Sequence, residues 1–105
     1  TIDLNTNVAL NTVNLGENLL PALDVTTNIQ IVNLYIDYNL FTGTGLDLTQ
    51  NEDLRLLDAS FNQIESLNIS QNLRLDQLII NNNIFPGNDI LNQFYQVFIV
   101  IFAAS

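Results

Sequence analysis

Carboxylates are the most frequent side chains of this sequence that could take part in acid–base catalysis. Eleven Asp and Glu residues stand against two arginines, and the sequence contains no histidine, lysine or cysteine. The usual general base, the Schiff-base amine and the thiolate nucleophile are therefore absent. A carboxylate pair remains possible, and Asp37 and Asp58 are the candidates for it. Their chemistry depends on the elements that position them.

Those elements come from an eleven-residue pattern that occurs four times. Each copy has apolar residues at its first, fourth, sixth and eleventh places and asparagine at the ninth, and the copies are residues 10–20, 31–41, 54–64 and 75–85. A second pattern lies between them, an apolar-Asp/Asn-apolar triplet followed three residues later by asparagine. The repeat spacing is 21, then 23, then 21 residues, with the two extra residues in the loop 42–45. Units this short predict a solenoid, because none can bury its apolar face alone.

Each eleven-residue copy resembles the leucine-rich repeat signature L-x-x-L-x-L-x-x-N-x-L, with Ile, Val, Phe or, once, Ala59 in place of leucine. The short unit is similar to repeats of internalin-like and Bacteroidetes adhesin-like bacterial surface proteins. The resemblance implies a leucine-rich repeat solenoid, an α/β-type right-handed superhelix. About five short parallel strands would line its concave face, and the convex side would be mostly irregular or 3-10. The resemblance also implies an extracellular or cell-surface location.

The repeats divide the chain into two parts. Four repeats occupy residues 1–87, with bounds 1–22, 23–45, 46–66 and 67–87, and residues 88–105 form an atypical C-terminal segment. That segment predicts a short helix over residues 90–96 and a fifth strand over residues 97–102. In that strand Ile99 and Ile101 follow Leu78 and Ile80 by 21 residues.

The fifth strand would have apolar residues on both faces. Its outward side chains would be Phe98, Val100 and Phe102, and such an edge invites aggregation unless something covers it. We therefore expect a docking edge, continued by later repeats or covered by another protein, with a self-contained hydrophobic cap as the alternative. The chain also begins within a repeat, so we expect a piece of a longer protein or a subunit whose ends partners cover.

Strand alternation separates inward leucines from outward side chains, Ser60 among them, and predicts a binding surface on the concave face. Aromatic residues beside charges are typical interface anchors. The alternative is that Tyr35 and Tyr38 only shield the sheet. The predicted surface comprises Tyr35, Asp37, Tyr38, Leu56, Asp58, Phe61 and Ile79.

The two carboxylates of that surface do not predict an enzyme. As diagonal neighbours, Asp37 and Asp58 would lie about 7–8 Å apart, a separation that could suit an inverting glycosidase. Neither has an evident apolar pocket to raise its pKa, and an open sheet excludes little water. We therefore expect no enzymatic activity and no cofactor.

The repeated asparagines predict scaffold rather than ligand contacts. We expect the ladder of Asn18, Asn39, Asn62 and Asn83 to be buried and structural, because a buried amide is tolerated when it is hydrogen-bonded. A second column, Asn7, Asn28, Asn51 and Asn72, is expected to bond nearby backbone in turns.

Charged side chains follow the same repeat. Asp3, Asp24 and Asp47 occupy equivalent positions in successive repeats. We interpret them as solvated carboxylates rather than as a row of ligands for cations, so no metal site is expected. The spacing also predicts ion pairs across adjacent coils, Arg74 with Asp53 and Arg55 with Asp76.

The composition restricts the classes of partner that the chain can bind. The net charge of −9 and the missing basic stripe argue against nucleic-acid binding. The eight-residue apolar run 97–104 is too short to span a bilayer as a helix. We expect a non-enzymatic protein- or glycan-binding module of a bacterial cell-surface or secreted protein, with the ligand on the concave sheet. The alternative is a constitutive structural or spacer subunit of a larger surface assembly, docked through its C-terminal strand.

Overall fold

One parallel sheet organises the chain. The computed structural model describes residues 2–86 and 100–102, and its strands are β1 (Thr12–Asn14), β2 (Asn33–Tyr35), β3 (Leu56–Asp58), β4 (Gln77–Ile79) and β5 (Val100–Phe102). Their order in the sheet is their order in the sequence, and every neighbouring pair is parallel. Each repeat therefore contributes one strand and then returns to start the next.

The middle residue of each strand from β1 to β4 points into the protein. These residues are apolar and buried because alternate side chains of a strand point to opposite faces, and only one face of this sheet is covered. They lie opposite one another in register: Val13, Leu34, Leu57 and Leu78.

The return path of each coil has little regular structure. Apolar residues of the Leu-Asp-Leu triplets, such as Leu46 and Leu48, are buried against the inward strand residues. One isolated parallel bridge joins Leu23 to Leu46, and no helix occurs within residues 2–86 or 100–102. The coils therefore have a leucine-rich-repeat-like fold.

Asparagine side chains connect each coil to the one before it. Nδ2 of Asn62 donates to the carbonyls of Ile36, Ala59 and Ser60 at 3.0, 3.1 and 3.1 Å, and Oδ1 accepts from the Phe41 N–H at 3.0 Å. Ile36 and Phe41 belong to the preceding coil. Equivalent sets of bonds are made one coil earlier and one coil later, by Asn39 and Asn83.

Asn18 differs from the other members of its column. We expected all four amides to be buried, but Asn18 is exposed. Its Nδ2 donates to the carbonyls of Leu15 and Gly16, both in its own coil, at 2.9 and 3.2 Å. The difference arises because no described coil covers this side of β1, whereas Asn39 and Asn62 each lie between two coils.

The second asparagine column also bonds between coils, where we expected local turn contacts. Nδ2 of Asn51 donates to the carbonyls of Val25 and Asn28, both at 3.0 Å, in the preceding coil. The local contacts belong instead to the central residue of each triplet and the residue that follows the triplet. There, for example, Asp47 Oδ1 accepts from the N–H and the Oγ1 of Thr49 at 2.9 and 2.6 Å.

The fifth strand is present, but its register differs from the predicted one. Ile101 lies opposite Leu78, and Val100 and Phe102 lie opposite Gln77 and Ile79. The last spacing is therefore 23 residues rather than 21. The sequence after Asn83 contains no further ladder asparagine that would have revealed these two additional residues. Phe98 and the predicted helix, residues 90–96, lie outside the described residues.

Both predicted ion pairs between coils are present. Arg55 Nη2 lies 2.8 Å from Asp76 Oδ2, and Arg74 Nη1 lies 2.9 Å from Asp53 Oδ1. All four side chains are solvent-exposed, and such pairs contribute about 0–1 kcal/mol each. They therefore favour the alignment of adjacent coils more than overall stability.

The position of an asparagine in its ladder should decide its importance for stability. Asn62→Ala removes the acceptor of a buried N–H at Phe41, so the free energy of unfolding should fall by about 1–3 kcal/mol or more. Asn18→Ala is the matched control, because Asn18 is exposed and bonds within its own coil, and its effect should be clearly smaller. Urea denaturation followed by circular dichroism measures both. Equal losses for the two variants would show that the bonds to the preceding coil are not what stabilises the ladder.

Candidate functional site

Strand alternation places four predicted site residues on the open face of the sheet. Tyr35 ends β2, Leu56 and Asp58 begin and end β3, and Ile79 ends β4. Register brings Tyr35, Asp58 and Ile79 side by side across three strands. All four side chains are half-buried, because each is flanked by the coil on either side and is open to solvent above.

The backbone after each strand turns through a left-handed conformation. The φ angles of Glu17, Tyr38, Phe61 and Asn82 are 59°, 55°, 56° and 60°. Only glycine and, less readily, asparagine adopt this region at low cost, and other residues pay roughly 1–2 kcal/mol. Asn82 is therefore the favourable residue for the turn, and the aromatic residues at Tyr38 and Phe61 are strained.

Tyr38 and Phe61 form an exposed aromatic stack at this turn. Their ring centroids are 4.2 Å apart and the ring planes differ by 7°. The two residues remain 49% and 38% exposed. An aromatic pair of this kind contributes about 0.5–1.5 kcal/mol, which roughly offsets the strain of one of the two residues. Neither ring belongs to the core, so the stack does little for folding.

A depression of about 390 Å³ opens on the sheet face close to this turn, where three carboxylates converge. The side chain of Asp37 lies across Gly16 of the preceding coil, where an added Cβ would come within 2.7 Å of Asp37 Oδ1. Glycine at that position therefore makes room for the carboxylate. The lining residues are Asn14, Gly16, Glu17, Tyr35, Asp37 and Asp58.

The carboxylates of the depression differ in their surroundings. Desolvation raises the pKa of Asp37, and the negative charges of Asp58 and Glu17 raise it further, against a backbone hydrogen bond that lowers it. Oδ1 of Asp58 accepts from the N–H and the Oγ of Ser60 at 3.1 and 2.7 Å. We expected Ser60 to point outward; it is buried, because its hydroxyl turns back to Asp58.

This arrangement is suited to attracting positive charge rather than to acid–base catalysis. One carboxylate is engaged by Ser60, and the depression is open to water, which weakens every electrostatic interaction within it. Across the part of the chain that the structure describes, no three Asp, Glu, His or Cys side chains are placed to hold a metal ion. Within the same residues, no helix is long and apolar enough to cross a bilayer.

The carboxylates of the return path accept hydrogen bonds from residues that are close by in the sequence. Hydrogen bonds from the side chain and then the backbone of Thr26 lower the pKa of Asp24, and Thr49 does the same for Asp47. Asp3 is exposed and accepts from the N–H of Asn5 at 2.9 Å. These acids stabilise turns at the surface.

Sequence reasoning missed an exposed apolar column on the flank that follows the strand ends. Leu19, Leu40 and Ile84 each come directly after a ladder asparagine and are 80%, 41% and 60% exposed. Gln63 takes this place in the third coil. We call these three apolar residues the apolar rim. The signal that could have revealed it is the tenth place of the eleven-residue pattern, which is apolar in three of the four copies.

The chain is similar to a solved bacterial protein domain. No protein-family model matches it, and no curated protein does. Among solved structures it is similar to the functional domain of InlJ from Listeria monocytogenes, which includes a cysteine ladder. The two share 27% sequence identity over 95% of this chain and 31% of that chain, with a TM-score of 0.46. The ladders of the present chain are asparagines, since it contains no cysteine.

The raised pKa of Asp37 predicts a pH-dependent stability. At pH values between the pKa of Asp37 in the unfolded chain and its higher pKa in the folded chain, the folded chain binds more protons than the unfolded chain. The free energy of unfolding therefore falls as the pH rises through that interval. Asp37→Asn should therefore increase the free energy of unfolding at pH 7 and have no effect at a pH below the unfolded value. Urea denaturation at both pH values measures this. Glu65→Gln, which removes the same charge outside the depression, should not show the same difference, and a matching profile would assign the effect to net charge.

The aromatic stack should be close to neutral for stability. Asparagine, already present at Asn82, relieves the left-handed strain, so Tyr38→Asn and Phe61→Asn should each change the free energy of unfolding by less than about 1 kcal/mol. The double variant should be at least as stable as either single one, because it relieves the strain twice and loses the stack once. A double-mutant cycle by chemical denaturation measures the coupling. A loss of more than about 2 kcal/mol in either single variant would make the rings structural.

Proposed function

We propose that this chain is a non-enzymatic protein-binding module of a bacterial cell-surface or secreted protein. Its ligand contacts the face of the sheet and the turn at the strand ends, through Tyr35, Asp37, Tyr38, Leu56, Asp58, Phe61 and Ile79. The resemblance of the 21-residue unit to repeats of bacterial surface proteins supports the location.

The observation that carries the proposal is the exposed stack of Tyr38 and Phe61 on left-handed backbone. Strained, bulky residues cluster at functional sites, because selection for a stable fold alone would favour glycine or asparagine at such positions. Exposed aromatic side chains also anchor protein interfaces, where they bury a large area at a small cost in conformational entropy.

The neighbours of the stack favour a protein over a glycan. A sugar ring packs on the open face of an aromatic ring, but Tyr38 and Phe61 close one face of each other at 4.2 Å. The half-buried Leu56 and Ile79 on the adjoining strands add apolar surface without the polar groups that hold sugar hydroxyls. Carboxylates at the border of such a surface select partners by charge.

Selection from a display library tests the proposal without assuming a ligand. Binders to peptides and small protein domains are selected on the wild-type chain, and their affinities are measured by biolayer interferometry. The variant carrying Tyr38→Asn and Phe61→Asn should bind at least about tenfold more weakly, which corresponds to about 1.4 kcal/mol. The matched control carries Ile29→Asn and Leu73→Asn, two exposed apolar residues outside the sheet face and the strand-end turn, and should bind as the wild type does.

Three results would contradict the proposal. The first is a set of binders that do not distinguish the aromatic variant from the control. The second is a glycan array in which a carbohydrate binds the wild type, and not the aromatic variant, while no peptide or domain does. The third is a chain that yields no binder and exists in solution only as part of a constitutive assembly, as the spacer alternative requires.

A further inference from the structure

The apolar rim continues the aromatic stack onto the flank of the solenoid. Asn39 lies between Tyr38 and Leu40 and points into the coil, so its two neighbours both point outward. The stack and the rim are therefore two parallel columns of exposed apolar side chains, running across the coils. Clustered exposed apolar side chains of this kind mark interaction sites.

The spacing of the rim residues restricts the shape of what can lie on them. Adjacent coils are separated by about 4.8 Å, the distance between neighbouring strands, so Leu19, Leu40 and Ile84 lie at about 0, 4.8 and 14.4 Å along the rim. In an α-helix that rises about 1.5 Å per residue, positions i, i+3 and i+10 lie at about 0, 4.5 and 15 Å. These positions share one face of a helix.

An extended segment fits the rim less well. Side chains on one face of a strand recur about every 6.7 Å, so they would lie at about 6.7 and 13.4 Å, against about 4.8 and 14.4 Å for Leu40 and Ile84. The polar position of the rim also agrees with a helix. Gln63 lies at about 9.6 Å, opposite position i+7 at about 10.5 Å, where it interrupts the apolar contact without ending it.

Charge restricts the composition of the partner. The chain has a net charge of −9, and its only two arginines are already paired with Asp76 and Asp53. Glu17 and Asp37 border the stack, and no arginine or lysine lies in the stack or the rim. A second copy of the chain would bring like charge to this border, whereas a basic partner would be attracted to it.

We propose that the rim binds a basic amphipathic helix of a partner protein. The helix lies across the coils, with its apolar positions on Leu19, Leu40 and Ile84 and with Lys or Arg residues directed toward Glu17 and Asp37. This inference rests on the proposed function, since it names the class of protein that binds next to the aromatic stack of the proposed surface.

Three synthetic helical peptides test the partner class on the unmodified chain. The first has leucine at the heptad a and d positions and lysine beside them, the second has glutamate in place of every lysine, and the third has the first peptide's composition with the heptad shuffled. Fluorescence anisotropy should show the first binding at least about tenfold more tightly than the other two, and more weakly as salt screens the attraction. Equal binding of the shuffled peptide, or tighter binding of the acidic one, would overturn the inference.

Two triple variants locate the contact. The first variant carries Leu19→Gln, Leu40→Gln and Ile84→Gln, so that all four coils have glutamine at the rim position, as the third coil already does. It should weaken binding of the basic peptide at least about tenfold. The control changes three exposed apolar residues that follow the second asparagine column, Val8→Gln with Ile29→Gln and Leu73→Gln, and should bind as the wild type does. Circular dichroism checks that both variants are folded. Equal affinities for the two variants would overturn the inference.

The remaining outcomes separate this inference from the proposed function. Dimerisation of the wild type in sedimentation experiments, lost in the rim variant, would make a second copy the occupant and overturn it. Library binders that are lost in the aromatic variant but retained in the rim variant would also overturn it, while leaving the proposed function intact. Binders that are indifferent to both variants would overturn both.

Discussion

The structure depends on hydrogen bonding of backbone that is buried between coils. The return path of each coil is too irregular to satisfy its own carbonyls, and a buried carbonyl or N–H without a partner is costly. Two asparagine columns supply the missing partners, since Asn51 and Asn62 each reach the preceding coil, and Asn62 also bonds carbonyls of its own coil. Each coil is therefore completed by the next one, and the repeats fold as a stack rather than as independent units.

This constraint leaves the remaining positions free to vary. The two-residue insertion of the second repeat falls between the ladders, where Gly45 passes close to the Pro21 carbonyl and its own carbonyl accepts the Leu23 N–H. The left-handed turn after each strand is also set by the scaffold, but its side chain is not. Glutamate, tyrosine, phenylalanine and asparagine all occur there, and the strain of the two aromatic residues is tolerated because ladder bonds hold the backbone on either side.

Much of the fold could be predicted from the sequence because its repeat links periodicity to position. The inward residues Leu34 and Ile36 and the pairing of Arg55 with Asp76 all follow from one alignment of the coils. The alignment fails where its markers end. After Asn83 no ladder residue remains to reveal the two additional residues, so the register predicted for β5 was wrong by two residues. The burial of Ser60 was missed for a different reason, because its hydroxyl is held by a side chain two residues away rather than by the repeat.

The sequence by itself determined the period, the inward faces and the asparagines that hold them, because a solenoid turns spacing along the chain directly into neighbours in space. The tertiary structure decided which outward residues act together. The stacking of Tyr38 on Phe61, the carboxylate of Asp37 over Gly16 and the exposure of Leu40 depend on backbone dihedral angles at the strand end and on contacts with the adjoining coil. Residue type does not encode those angles, since four different side chains share them, and the candidate site therefore became visible with the coils in place.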